Sequence, residues 1–267
     1  MKIGIAGTGA IGLKVAQYLD GGKIPGHVLA GFCARNDQRA AEFNATLLRP
    51  VSHYAFSDIA DHCDVVVECL PPKSFQDIAQ PVLEAGKILV VMSASQLLGR
   101  DNLVQLAAEN GGQIIVPSGA MVGIDALKAV AVGKLKSVTI KTCKPIIGLL
   151  NAPYIAKIGI DIRALDKPYC LLAGSVSEVA KEFPANVNVA AALSLSGMGP
   201  EHTKMEIWAD PTLTENQHTV SVESDSSDFT VMIKNRPSAE NPATGQITAQ
   251  SVIAWLRDLN GTMRIGT

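Results

Sequence analysis

The sequence predicts an α/β protein in which a doubly wound parallel sheet is followed by a second, α+β domain. Three observations support this: strand-like and helix-like segments alternate up to about residue 117, a glycine-rich turn joins the first strand to the first helix, and strand-like runs predominate from Lys136. Alternating strands and helices are typical of parallel sheets with right-handed crossovers. We expect the first domain at 1–119, a second domain at 120–244, and a C-terminal helix within 245–267 that packs back on the first domain.

The first half of the chain shows the alternation most clearly. The apolar run from Lys2 to Ala6 stops at a glycine and predicts a buried strand, and apolar residues at Ile11, Val15 and Leu19 then follow helical spacing. Further strands are predicted at 27–33, 64–69, 87–92 and 113–116, with helices at 39–44, 74–85 and 101–109.

The second half changes period. Strand-like alternation predicts strands at 137–142, 205–209, 218–223 and 229–234, which suit a mostly antiparallel sheet. Helical spacing predicts helices at 175–182, 188–195 and 248–259. No linker or low-complexity tract separates the two halves, so we expect two closely associated domains with a cleft for a small-molecule substrate.

Composition excludes several classes of function. The chain has 267 residues, 47% of them hydrophobic, and 23 Lys+Arg against 25 Asp+Glu, so it lacks the positive field that nucleic acid or an anionic membrane requires. Five scattered cysteines form neither a metal knuckle nor a C-x-x-C pair, and we expect reduced thiols in a cytoplasmic protein without a structural metal. No signal peptide or membrane-spanning run is apparent.

A glycine motif lies between the first strand and the first helix. The segment from Gly7 through Gly9, Ala10 and Ile11 to Gly12 fits G-x-G-x-x-G. In this position the motif is typical of a Rossmann-type domain, in which the helix N-terminus binds the pyrophosphate of NAD or NADP. The alternative is a glycine turn without a ligand.

The tip of the second predicted strand lacks the acidic residue that normally binds the adenosine ribose. The chain has Ala34 there, followed by Arg35. Since a guanidinium pairs well with a phosphate, we hypothesise that NADP is accepted at least as well as NAD. The alternative is that Arg35 is a solvated surface charge.

The candidates for catalysis lie in the second half. His218 stands at the start of an alternating strand, and imidazole moves protons near neutral pH, although on position alone a surface or structural histidine is the favoured interpretation. Small residues near Ala120 would let the backbone approach a flat ring. We interpret Asn186 as a helix cap and Asn188 as an amide that faces a ligand.

Five blocks of the sequence resemble, in the same order, those of the L-aspartate dehydrogenases, and the resemblance covers essentially the whole chain. The asparagine-rich block and the later histidine are more specific than the glycine turn. The blocks are Pro117-Ser118-Gly119-Ala120, the segment Phe183 to Ala191, the segment Ile207 to Pro211, Asn216-Gln217-His218, and Asn241-Pro242-Ala243-Thr244.

The resemblance implies NAD(P)-dependent oxidative deamination of L-aspartate to iminosuccinate, which hydrolyses to oxaloacetate and ammonia, with a link to NAD biosynthesis. It implies that His218 is catalytic, that Ala120 and Asn188 contact the cofactor, and that the enzyme is a homodimer. The substrate is a dianion, and we place Asn241 and Thr244 among its ligands. Other candidate donors are Lys144, Lys204 and Arg236.

Four other functions remain possible at this point. An aspartate-semialdehyde dehydrogenase would need an activated cysteine, and no cysteine has an evident base beside it in sequence. Homoserine dehydrogenase and dihydrodipicolinate reductase share the architecture, but the latter is expected to carry a paired-histidine motif that is missing. A non-catalytic nucleotide sensor would keep the glycine turn and would not need His218.

Overall fold

A computed structural model describes residues 1–236 and 245–266, apart from the side chain of Ala185. The chain divides into two compact units. The first unit comprises Met1–Gly119 together with Thr248–Arg264, and the second runs from Ala120 to Ile247 and includes the chain end from Ile265.

The first unit is built on a six-stranded sheet with the order β3-β2-β1-β4-β5-β6, and every pairing in it is parallel. Its central strands are almost continuously apolar because helices cover both faces. The strands are β1 (Lys2–Ala6), β2 (Val28–Cys33), β3 (Ser52–His53), β4 (Val65–Glu68), β5 (Ile88–Val91) and β6 (Gln113–Ile115).

Two separate apolar cores show that this sheet is covered on both sides. Val65 and Val67 of β4 belong to one core and Val66 to the other, since successive side chains on a strand point to opposite faces. This is the doubly wound, Rossmann-type arrangement that the sequence predicts, so the predicted fold class is confirmed. The helices are α1 (Ala10–Asp20), α2 (Asp37–Asn44), α3 (Ile59–His62), α4 (Phe75–Glu84) and α5 (Asp101–Asn110).

The C-terminal helix α10 (Gln246–Leu259) contributes its apolar stripe to the first unit. Ala249, Val252, Ile253 and Leu256 lie at helical spacing and are buried in the same core as the residues of β1 and α1. Helix α10 therefore completes the apolar core of the first unit.

The second unit contains a five-stranded sheet with the order β11-β10-β7-β9-β8. Three of its four pairings are antiparallel, which confirms the predicted character of the sheet, and β7 with β9 is the parallel exception. The strands are β7 (Leu135–Pro145), β8 (Tyr169–Ser175), β9 (Lys204–Asp210), β10 (Asn216–Ser224) and β11 (Phe229–Asn235), and the helices are α6 (Ile124–Val130), α7 (Pro153–Ile158), α8 (Val176–Glu182) and α9 (Asn188–Leu195).

The structure corrects the sequence prediction in this unit. Strand β7 continues to Pro145, whereas the pattern predicted an end at Thr142. Strand β8 and the helices α6 and α7 were not predicted, because they are short and lack a long periodic pattern. Among the helices in the described parts of the chain, none has the length and apolar character needed to cross a membrane.

Candidate active site

The glycine motif forms a tight turn between β1 and α1. Gly7 has a φ of +108°, and a Cβ there would lie 2.5 Å from the carbonyl oxygen of Cys69. A Cβ on Gly12 would lie 2.1 Å from the carbonyl oxygen of Gly7. Both positions therefore require glycine for steric reasons.

Gly9 differs from the other two glycines because its surroundings are open. A Cβ at Gly9 would meet no atom within 4 Å, and Gly9 is the N-cap of α1 without a side-chain hydrogen bond to the helix. Helix α1 begins at Ala10, and the N–H groups of its first residues, Ala10 and Ile11, therefore have no side-chain cap. An open backbone surface at an uncapped helix N-terminus fits the pyrophosphate of a dinucleotide.

The tip of β2 is followed by the two residues that bear on cofactor choice. Ala34 is half-buried and Arg35 is exposed, and Asn36 caps α2 by accepting a hydrogen bond from the backbone N–H of Arg39 at 2.9 Å. Arg35 forms no hydrogen bond or ion pair with a residue that the structure describes, so its guanidinium is free to meet a ligand.

Glu68, at the end of β4, was not singled out from sequence. Its carboxylate is fully buried and accepts hydrogen bonds from the backbone N–H of Leu70 at 2.7 Å, from the backbone N–H of Ser93 at 3.0 Å and from the Ser93 hydroxyl at 3.0 Å. Burial raises the pKa of this carboxyl, and the hydrogen bonds oppose that effect. Glu68 thus joins the segments after β4 and β5 at the carboxyl edge of the sheet.

In the second unit, one face of the sheet is buried, and its composition changes along the strands. On β7, Val138 and Ile140 are followed on the same face by Thr142 and Lys144, all of them buried. On β10, the residue opposite Thr142 is His218. An apolar sheet face therefore becomes polar at one end, which is unusual for a purely structural core.

His218 is 5% exposed, and its Nδ1 lies 3.0 Å from the Thr142 hydroxyl oxygen. Burial, assisted by the positive charge of Lys144, lowers the pKa of His218 to about 4. The imidazole is consequently neutral near pH 7 and can accept a proton. This favours the proton-transfer role among those that the sequence left open, over a role as an imidazolium that binds a carboxylate.

Lys144 is 9% exposed, and its Nζ donates a 2.5 Å hydrogen bond to Oδ1 of Asn186. Burial lowers the pKa of Lys144 to about 8. The interpretation of Asn186 as a helix cap is wrong, because α9 has no side-chain cap and the amide oxygen is bound to this lysine.

A cavity of about 450 Å³ lies at this polar end of the second unit. Lys144 lines the cavity and His218 does not. Because the charge of Lys144 acts on His218, this lysine connects the imidazole to the cavity. The polar lining consists mainly of amides, with one cation, one carboxylate and one hydroxyl; these residues are Asn151, Asn186, Asn216, Asn235, Lys144, Glu215 and Thr214. Sequence reasoning missed most of them because they come from separate segments.

The remaining predicted site residues are dispersed. The backbone oxygen of Ala120 accepts a hydrogen bond from Nδ2 of the buried Asn235 at 3.1 Å, and Asn188 is the first residue of α9. Lys204 is exposed at the start of β9, and Arg236 is exposed after β11. The predicted substrate ligands Asn241 and Thr244 lie outside the described residues.

The cysteines bear on one alternative function. All five are free, and in each of them burial raises the pKa of the thiol. Nucleophilic cysteines need the opposite shift, toward the thiolate. These thiols are therefore poor candidates for the nucleophile of a semialdehyde dehydrogenase.

Comparison with known proteins identifies the family of the chain. Residues 125–259 match the family described as aspartate dehydrogenase, C-terminal, and residues 7–117 match the NAD-binding domain of homoserine dehydrogenase. The chain is similar to the L-aspartate dehydrogenase of Bradyrhizobium diazoefficiens, with 46% identity over 100% of this chain and 94% of the relative. The chain belongs to the L-aspartate dehydrogenase family.

Other members of the family and one solved structure extend the comparison. The L-aspartate dehydrogenase of Methanosarcina acetivorans is 36% identical over the full length of both chains. The crystal structure of aspartate dehydrogenase from Thermotoga maritima has a TM-score of 0.76 at 24% identity and covers 100% of this chain and 99% of its own, which establishes similarity of fold. The family resemblance noted from sequence is confirmed, and the NAD-binding domain places the cofactor in the class of NAD or NADP.

Proposed function

We propose that this protein catalyses the NAD(P)-dependent oxidative deamination of L-aspartate to iminosuccinate, which hydrolyses to oxaloacetate and ammonia. The observation that carries the proposal is the buried, neutral His218 beside Lys144 at the polar end of the sheet, in a chain of this family. A non-catalytic nucleotide sensor would have no need of a buried histidine held in this way. Such a reaction would supply a precursor for NAD biosynthesis.

The first unit would hold the dinucleotide. Gly7 and Gly12 shape the turn, Gly9 leaves it open, and the N–H groups of Ala10 and Ile11 belong to the uncapped first turn of α1. Bound NAD or NADP supplies the hydride acceptor. We place Ala120 and Asn188 against the cofactor as well, on the strength of the family pattern.

The second unit would hold and deprotonate the amino acid. In the reaction the Cα–H bond breaks and its electron pair leaves with the hydride, while the amino group loses a proton and a C=N bond forms. Water then adds to that carbon, and the C–N bond breaks to release ammonia. We assign to His218 the transfer of a proton in these steps, since its neutral ring can accept one and Thr142 holds its Nδ1. Asn241 and Thr244 stay proposed substrate ligands.

The test follows reduced cofactor by absorbance with L-aspartate, and in reverse with oxaloacetate and ammonia. For His218→Ala we expect kcat to fall about 100-fold or more, with the cofactor Kd nearly unchanged. The matched control is His202→Ala, an exposed histidine of the same unit, which should keep full turnover. Cofactor binding without turnover in the wild type would favour the sensor, and full activity of His218→Ala would contradict the role of the imidazole.

We also propose a homodimer formed through the open face of the second unit's sheet. Met232 is 60% exposed on β11, and Lys141 stacks its Nζ 3.9 Å from the centre of the Trp208 ring. Exposed apolar side chains on a sheet face are typical of an interface between subunits. Light scattering should give twice the 28.1 kDa mass of the chain, and a monomer mass would contradict the proposal.

A further inference from the structure

The buried ammonium of Lys144 is an unusual feature of the second unit. Lysine is almost never fully buried in proteins unless it is paired, because removing its charge from water is costly. Here the strand register determines the burial, since Lys144 follows Val138, Ile140 and Thr142 at intervals of two on the covered face of β7. The side chain lines the cavity, where 9% of the residue is exposed.

The protein satisfies this ammonium only in part. Among the described residues, the Nζ of Lys144 has one hydrogen bond, to Oδ1 of Asn186, and no Asp or Glu carboxylate within 4.0 Å. An ammonium has three N–H donors and stays costly to bury without a counter-charge. The site therefore has both charge and hydrogen-bonding capacity available for an anionic ligand.

The cavity around Lys144 indicates the chemistry of that ligand. Its polar lining offers amides, which donate to carboxylate oxygens, and one acid, Glu215. An ammonium, a carboxylate and several amides together suit a small amino acid that carries an extra carboxylate. We propose that Lys144 binds a carboxylate of the dicarboxylate substrate and thereby selects dicarboxylates, an assignment that rests on the proposed function.

This role would couple substrate binding to the imidazole. The charge of Lys144 contributes to the low pKa of His218, second to burial. A carboxylate bound to Lys144 would neutralise that charge and raise the affinity of His218 for a proton. The substrate would thus make the imidazole a better base at the moment when proton transfer is needed.

The test uses succinate, a dicarboxylate that lacks the amino group, and measures its binding by calorimetry. We expect Lys144→Met to raise the succinate Kd about 10- to 100-fold, the loss typical of a charge-assisted hydrogen bond, and Lys144→Arg to restore part of the affinity. The control is Lys181→Met, which removes the same charge from an exposed position on α8 of the same unit and should leave the Kd unchanged. The Kd for NADPH should be unchanged in all three variants, which verifies that each is folded.

The aspartate kinetics separate a binding role from a catalytic one. With Lys144→Met we expect KM for L-aspartate to rise more than kcat falls; an unchanged succinate Kd and KM, or a fall in kcat alone, would overturn the proposal. If the wild type does not oxidise aspartate but binds succinate through Lys144, the proposed function fails while the anion site stands. If Lys144→Met turns over aspartate normally with an unaltered KM, the anion site is refuted while the proposed function stands.

The wild type provides a second measurement that needs no variant. The titratable groups near Lys144 are His218 on β10, Glu215 before it, and Asp210 at the end of β9. Burial lowers the pKa of Lys144 to about 8, and the pKa of His218 is lowered to about 4, so above pH 8 Lys144 loses its charge while the imidazole is already neutral. The succinate Kd should rise up to about tenfold per pH unit there; a constant Kd to pH 9.5 would contradict the proposal.

Discussion

The two units each bury a charged group at the polar end of a sheet, and they treat it differently. In the first unit, Glu68 receives three hydrogen bonds from Leu70 and Ser93. In the second unit, Lys144 has one hydrogen-bond partner in the described part of the chain, Asn186, and the ring Nδ1 of His218 lies beside the Thr142 hydroxyl. Burial opposes the charged form in all three residues.

This difference separates a structural role from a binding role. A buried carboxylate whose oxygens are occupied by protein donors has little capacity left for a ligand, and it holds two loops together. A buried ammonium with free donors costs folding energy, which proteins tolerate mainly where function needs it. Counting satisfied hydrogen bonds therefore distinguishes the two sites better than burial alone.

The largest effect on stability is expected at Glu68. Glu68→Gln places an N–H donor among the N–H and O–H donors of Leu70 and Ser93, so we expect a loss of about 3 kcal/mol in the free energy of unfolding. Chemical denaturation of the full-length protein would measure this loss. The control Glu84→Gln alters an exposed carboxylate of α4 and should change stability by less than about 0.5 kcal/mol. An equally small effect at Glu68 would remove the contrast between the two units.

A smaller effect, of opposite sign, is expected at Lys144. Because the pKa in the folded protein, about 8, lies below the ordinary 10.5, the unfolded chain binds more protons between those values and wild-type stability rises with pH in that window. Lys144→Met should therefore stabilise the protein by about 2 kcal/mol at pH 7, after loss of the Asn186 hydrogen bond. Thermal unfolding should show this gain shrinking from pH 8 to pH 10.5, whereas a loss of stability at pH 7 would mean that the charge is compensated.

The smallest effect on stability is expected at Arg35, an exposed charge at the tip of β2. A solvated guanidinium contributes little to the free energy of unfolding, so Arg35→Ala should change that free energy by less than about 0.5 kcal/mol. We propose that its contribution is instead to NADP binding. The Kd of NADP should rise in the variant while that of NAD is kept, and an unchanged preference would leave Arg35 as a surface charge.

The sequence predicted the first unit well because its signals are local. Apolar runs such as Val65 to Val67 are typical of a parallel sheet that is covered on both faces, and the three glycines predict a turn from six consecutive residues. In the second unit the predicted end of β7 at Thr142 left Lys144 outside the strand. Extending the period of two by one more step would have placed that lysine on the buried face.

By itself the sequence determined the class of fold, the position of the dinucleotide turn and the family, since each is written in contiguous residues. Only the tertiary structure decided that Lys144, Asn186 and His218 are neighbours, because strands β7 and β10 pair across more than seventy residues of chain. The same packing decided their electrostatics. A side chain's pKa depends on how much water its neighbours exclude, and that is a property of the folded surroundings rather than of the residue.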